Sequence, residues 1–213
     1  KRVLYTNDYL RSLTRPNTTL IPESAASIGA HTITSSHGKT VDVDTIVLTT
    51  GYFFGGHVLD LVRRRDGTSV GDAQRGHPRA YKSIHVSGCP NLFLSGGAAP
   101  NSQYASGFFC GEAAANQAVK MISLMNSRGI QALEVKESAE KAWKRAADAI
   151  LDDGPTVRGG CTNYSQDALG HNKAMWPGFG RQMWAALDEV RLDDYHILNG
   201  KTRLGEEETV VTV

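Results

Sequence analysis

The spacing of apolar and polar positions changes character along the chain. Residues 17–22 (NTTLIP) follow the Arg15-Pro16 turn and read as a short strand. Between Ile28 and Val43 the two classes roughly alternate on either side of Ser35-Ser36-His37-Gly38-Lys39. That pattern predicts a β-hairpin with Gly38 at a turn position that tolerates positive φ. Residues 45–50 (TIVLTT) and 91–95 (NLFLS) differ in kind: both are continuous apolar or β-branched runs, ending in Gly51 and in Gly96-Gly97. Continuous runs suit strands buried on both faces of a parallel α/β sheet, where ligands sit beyond the carboxyl ends of the strands. On pattern alone, these glycine ends read equally as ligand edges or as plain turns.

Helical spacing appears later. Residues 106–125 predict one long helix with Ser106 as N-cap. Its polar residues Glu112, Asn116 and Lys120 recur every fourth position, and the remainder is apolar or small, which means burial. Residues 137–152 predict a second helix, with an apolar stripe of Ala139, Ala142, Trp143, Ala146 and Ile150 and a Glu140–Lys144 pair. Gly154-Pro155 ends it. An aromatic-rich irregular tail follows, with a short helix expected over 180–191 and Trp176 and Trp184 as packing residues.

Composition narrows the function classes. The chain has 213 residues, and its 23 basic and 22 acidic side chains nearly cancel, so it carries no basic footprint for nucleic acid. The run Arg63-Arg64-Arg65 reads as a solvated loop. Cys89, Cys110 and Cys161 are far apart and form no CxxC or Cys/His cluster, which argues against a disulfide framework and a structural zinc site. Cysteine usage therefore points to a reducing, cytoplasmic compartment. No apolar run approaches the roughly 20 residues of a membrane span. The seven histidines show no HExxH spacing, and no GxSxG elbow is present. Asp42 and Asp44 read as solvent-facing. The first residue is Lys1, so the chain is expected to begin inside a longer protein.

Several segments, in order, resemble class B flavin-dependent monooxygenases, particularly the Baeyer–Villiger group. Lys1-Arg2-Val3-Leu4 with Asn7-Asp8-Tyr9 is similar to that family's Lys-Arg segment leading to an Asp-Tyr pair. Thr14-Arg15-Pro16-Asn17 resembles the turn that follows. The stretch from Asp42 to Tyr52 (DVDTIVLTTGY) resembles a "DVDVIVLATGF/Y" segment. Pro90 to Leu94, a Gly-rich loop, then Ser106 and Glu112, resemble the return to the flavin domain. Gly170-His171-Asn172 and Trp176-Pro177-Gly178-Phe179 resemble a "GRN…WPGF" tail.

The resemblance implies an α/β, Rossmann-like flavoprotein of two dinucleotide-binding domains with a helical and irregular C-terminal extension. Residues 1–50 would end the NADPH-binding domain, 51–126 return to the FAD-binding domain, and 127–213 form the extension. It implies FAD and NADPH as cofactors, and O2 and a ketone, aldehyde or heteroatom compound as reactants. The family's GxGxxG fingerprints and its FxGxxxHxxxW motif are absent from this sequence and are expected upstream of Lys1. Pro100-Asn101 sits two positions late against the family's "GPN", His171 replaces an arginine, and Asn163-Tyr164-Ser165 replaces Ser-Trp-Tyr.

Among site residues, the resemblance assigns Arg2 as the fixed positive charge beside an anionic oxygen species on the flavin, because arginine stays protonated and presents a rigid fork. Lys1 would meet NADP phosphate or ribose. Ser106 and Gly107 would present a helix N-terminus to the electron-rich edge of the flavin. Thr50 and Gly51 would line the crossover between domains, and Gly97 and Asn101 the flavin-side loop. The alternative readings are an inactive remnant or a module that completes a second chain carrying the fingerprints. Unpaired edges on strands 45–50 and 91–95 would make the isolated chain poorly soluble or only partly folded.

Overall fold

The computed structural model describes residues 5–51, 57–74, 77–95, 105–160, 164–167, 169–172 and 176–199. Two compact units divide the chain, Arg2–Gly51 and Tyr52–Val213.

The first unit holds α1 (Tyr9–Leu13) and an antiparallel sheet of β1 (Ala25–Ile28), β2 (Thr32–Ser35) and β3 (Thr40–Asp42), in that spatial order. The hairpin forms where alternation predicts it. Ile33 faces Val41 across it, and Gly38 turns the chain at φ 85°. The hydroxyls of Thr34 and Thr40 meet across the strands at 3.0 Å. Asp42 and Asp44 are exposed.

Two expectations fail in this unit. Residues 17–22 form no strand, and neither do residues 45–50, where Val47 and Leu48 are 79% and 73% exposed. A strand buried on both faces needs a ladder beside it and layers above and below. Among the described residues no strand pairs with 45–50, and every described strand pair is antiparallel.

The second unit contains α2 (His57–Leu61), α3 (Val70–Ala73), α4 (Gly107–Arg128), β4 (Ala132–Val135), α5 (Glu137–Leu151), α6 (Pro155–Arg158), α7 (Gly180–Asp188), a 3-10 turn (Leu192–Asp194) and β5 (Tyr195–Leu198). His57 opens α2. The long helix forms as its pattern predicts. Cys110, Ala113, Ala114, Gln117, Met121 and Met125 make the buried stripe of α4, and Glu112, Asn116 and Lys120 lie exposed. Gly129, in the left-handed region at φ 65°, stops the helix.

The small residues of α4 admit α7. A Cβ on Gly180 would lie 2.8 Å from the Ala105 Cβ and 3.1 Å from the Phe109 ring, so only glycine lets the two helices approach this closely. Ile84, Trp176, Met183 and Leu187 complete that core, with Trp184 and Phe93 packed against it. Lys82, at φ 49°, sends its ammonium to the carbonyls of Ala186 and Glu189 at 2.7 and 2.8 Å, capping the negative end of α7.

A second core joins the later half of α4 to a two-stranded antiparallel sheet. Leu133 of β4 faces Ile197 of β5, and Met121, Met125, Tyr81 and Tyr195 pack beside them. The expected division at 126 falls inside α4, whose two halves serve both cores. Residues 91–95 form no strand either. Asn91 is left-handed at φ 56°, its side-chain oxygen accepts the Leu133 N–H at 3.0 Å, and Leu94 donates singly to Ile84. Beside β4 the Asn91 N–H donates to the Leu133 carbonyl at 3.0 Å, but the return bond is taken by the Asn91 side-chain oxygen, and the pairing goes no further.

The helix expected at 137–152 forms as α5, but its buried face is rotated. Glu140, Lys144 and Ala147 are buried, whereas Ala142 and Ala146 are exposed and Ile150 is 58% exposed. Glu140 and Lys144 do not pair. Glu140 accepts from the Arg79 Nε at 2.9 Å, the Ser87 Oγ at 2.9 Å and the Ser87 N–H at 3.1 Å. Lys144 pairs with Asp148 instead. The arginine run is likewise not simply solvated. Arg65 reaches Glu134 at 3.2 Å, and the Arg64 stem packs on Gly88.

His85 lies between the two cores, with its Nε2 3.1 Å from Gln117 Oε1 and its ring edge-on to Phe93 and Tyr195. Burial pushes its imidazole down to about 4.

Two consequences can be measured by denaturant unfolding. Glu140→Ala leaves the buried Ser87 donors unmatched and the part-buried Arg79 with only its looser contact to Glu137, and a loss of about 3 kcal/mol is expected; a loss below about 1 kcal/mol would refute the role given to this carboxylate. Because His85 is harder to protonate folded than unfolded, the stability it contributes is complete above the unfolded value of 6.5 and is lost as pH falls toward 4. The decline is expected to reach roughly 3 kcal/mol, and His85→Gln should remove that part of the pH slope.

Candidate functional site

The functional residues read from the sequence fall in three places. Lys1, Arg2, Gly97 and Asn101 lie outside the described residues. Thr50 and Gly51 are exposed at the end of the first unit, where Gly51 has φ 86° and a Cβ would meet nothing within 4 Å. Ser106 and Gly107 open α4 in the second unit.

The start of α4 is the most fully built of these places. Ser106 has extended backbone (φ −63°, ψ 142°), and its hydroxyl accepts the Phe108 N–H at 3.3 Å. Its carbonyl takes the first helical bond, from Cys110 at 3.1 Å. This N-cap follows from a serine placed just ahead of the apolar stripe, because its short oxygen reaches the second helical amide. One turn deeper, Cys110 and Ala113 anchor the helix in the core. The terminus itself faces outward. Gly107 is exposed, a Cβ there would meet nothing within 4 Å, and Phe108 is 94% exposed.

Two properties follow. A helix of 22 residues ends here with aligned peptide dipoles, equivalent to roughly half a positive charge. The missing side chain at Gly107 lets a flat group come against the backbone. This arrangement fits the electron-rich edge of an aromatic cofactor and stabilises negative charge without a titrating side chain.

A polar cluster that the sequence reading does not anticipate lies elsewhere in the second unit. A cavity of about 70 Å3 is lined by Gln74, Arg79, Ser83, Lys144, Asp148 and Asn172. It is well below the roughly 300–1,000 Å3 of ordinary ligand sites. Ser83 adopts φ 62° on its wall. Beside it, His77 stands between Asp148 and Asp167. The acidic spacing of α5 resembles a solvated face in sequence, and only the partners from residues 77–87 mark it as buried.

Other chemistries have little support. Among the described residues, no group of three His, Cys, Asp or Glu side chains is placed to hold a metal ion. Cys89 and Cys110 are buried free thiols, and desolvation pushes the Cys89 thiol up, away from the reactive thiolate. Among the described residues, no helix is long and apolar enough to cross a membrane.

No family model matches the chain. Among curated proteins it is 28% identical over 199 residues to a protein named Baeyer–Villiger monooxygenase from Pseudomonas aeruginosa, covering 92% of this chain and 38% of that protein. A protein of the same name from Streptomyces coelicolor is 24% identical over 204 residues, covering 93% of this chain and 38% of its own length. The chain thus spans under two fifths of these relatives. Among solved structures, the OTEMO complex with FAD and NADP superposes with a TM-score of 0.76 at 20% identity, covering 93% of this chain and 38% of the other. That likeness shows a shared mixed α/β fold.

The cap at the site is open to direct measurement. Ser106→Ala is expected to destabilise the second unit by about 1 kcal/mol and Ser106→Gly by only a few tenths, read as shifts in the denaturant midpoint. Equal effects from both would mean that the hydroxyl does not cap α4.

Proposed function

The chain is a relative of the Baeyer–Villiger monooxygenases, and from that kinship we propose that it forms part of an FAD- and NADPH-dependent monooxygenase. The reaction is insertion of one oxygen atom from O2 beside a ketone or aldehyde carbonyl, or its transfer to a heteroatom. The observation that carries this reading is kinship along nearly the whole chain. The open, capped N-terminus of α4 is the feature of the described residues that fits it.

Flavin supplies the activation of O2, and NADPH supplies the reducing equivalents. The chain's own residues do the holding and the electrostatics. The start of α4 would present its positive end to the flavin edge that becomes negative on reduction, and the missing side chain at Gly107 would leave room for the ring. The Ser106 hydroxyl fixes the first turn in that orientation by binding the Phe108 amide. Arg2 supplies a permanent positive charge beside the oxygen-transfer centre, and Lys1 binds NADP phosphate or ribose. Thr50 and Gly51 line the passage between the two dinucleotide domains, and Gly97 and Asn101 belong to the flavin-side loop. The Rossmann-like pair of domains and the cytoplasmic setting are part of the same proposal.

The test is the visible absorbance of the purified protein after incubation with FAD, followed by NADPH oxidation with and without a ketone. One flavin per chain, with ketone-stimulated oxidation, is the expected result for a polypeptide that contains this chain together with both dinucleotide fingerprints. Flavin retained by that polypeptide but not by the 213 residues alone places cofactor binding in the whole. Absence of flavin from both sinks the reading and favours a non-enzymatic module.

A further inference from the structure

We propose that the adjoining starts of α4 and α7 form a carboxylate-binding edge, and that its occupant is an acidic substrate, a ketone or heteroatom compound carrying a carboxylate. The edge is read from the second unit alone. The assignment of its occupant as substrate rests on the oxygenase reading.

The two helices begin side by side. A Cβ on Gly180, the first residue of α7, would lie 2.8 Å from the Ala105 Cβ and 3.1 Å from the Phe109 ring at the start of α4. At its far end α7 meets α4 again through the Asp188–Lys120 ion pair. The helices therefore run in the same direction, and their positive ends converge. Such an end is favourably matched by Asp or Glu in the first turn. Neither α4 nor α7 has an acidic residue there. The first turn of α7 holds Arg181 instead, exposed and in no ion pair among the described residues. A cation placed there adds to the positive end rather than offsetting it.

A buried donor faces the same edge. Trp176 is 5% exposed, and its Nε1 has no hydrogen-bond partner among the described residues. A buried indole N–H ordinarily finds an acceptor. This one lies 3.6 Å from the place a Gly178 Cβ would take, and Gln182 Oε1 lies 2.6 Å from that place. Gly178 has φ 149°, so both the backbone and the crowding keep a glycine here. Gln182 Oε1 accepts the Phe179 N–H at 2.8 Å. One acceptor oxygen is thus held at the start of α7, next to an indole donor that it does not satisfy.

A carboxylate matches this arrangement better than the amide does. Gln182 is exposed, and its side chain can swing aside. One carboxylate oxygen then takes the Phe179 N–H and the other the Trp176 N–H, while Arg181 and the two helix ends supply the opposite charge. A phosphate brings three strong acceptor oxygens and close to two charges, more than two N–H donors and one arginine match. Ala105, on which Gly180 packs, adjoins Ser106 and Gly107. An acid anchored on α7 is therefore held beside the residues proposed to meet the flavin, which favours a substrate over a remote effector.

The experiment titrates the purified protein with levulinate, a small keto acid, and with its neutral methyl ester, read at the Trp176 indole N–H resonance. Levulinate is expected to shift that resonance and to bind about tenfold more tightly than the ester, the scale of one charge-assisted hydrogen bond. Arg181→Gln should bring the two affinities together, and so should Trp176→Phe, read at the Gln182 side-chain amide. Arg181 is exposed, so its variant decides the matter if Trp176→Phe does not fold. Equal affinities for acid and ester overturn the proposal, as does a Trp176 resonance unmoved at saturation or a preference that survives Arg181→Gln. Displacement of levulinate by equimolar inorganic sulfate overturns the carboxylate assignment. The titration needs no flavin. A protein that prefers the acid but retains no flavin keeps the edge and loses the oxygenase reading with its substrate; one that retains flavin and treats acid and ester alike does the reverse.

Discussion

Glu140 sits in the middle of α5 with no exposed surface, and a charge in that position persists only where donors are brought to it. Arg79 and both polar groups of Ser87 do so, from a segment far away in sequence. Meeting this requirement fixes which face of α5 turns inward. It carries Trp143 against Tyr81 and Trp176, and it places Lys144 and Asp148 on the wall that His77 and the later loop share. The rotation of α5 away from its apparent alanine stripe is therefore an electrostatic outcome. Burying a few alanines offers less than leaving a carboxylate and a guanidinium unmatched would cost.

The long helix α4 follows the opposite logic. A mostly apolar buried stripe sets its orientation, with Gln117 held by His85, and Gly180 of α7 lets that helix pack tightly on it. One consequence is a rigid axis whose capped end projects beyond the core. A terminus anchored one turn deeper by Cys110 and Ala113 can present a fixed dipole without reorganising, which is what stabilising a developing negative charge requires. The packing that makes the helix stable and the geometry that suits a cofactor edge thus derive from the same residues.

Legibility in the sequence followed the range of the forces involved. The hairpin at 32–42, α4 with its serine cap, and the existence of α5 and α7 depend on periodicity and short-range capping, and each stands where the pattern places it. The family likeness was also readable, because it rests on the order of several short segments. The paired strands β4 and β5 were not. Each is four residues long, and each gains its partner only from a distant part of the chain. Continuous apolar runs at 45–50 and 91–95 announced strands, yet a strand exists only with a ladder beside it.

By itself the sequence determined the places of α4, α5 and α7, the turn at Gly38, the near-neutral charge and the kinship. These are consequences of local backbone preference, spacing and ordered motifs. Tertiary structure alone decided that Glu140 and Lys144 are buried rather than paired on a surface, that Arg64 packs on Gly88, and that His77 stands between two aspartates. Whether a charged residue is solvated or matched depends on groups brought from elsewhere in the chain, and no local pattern carries that information.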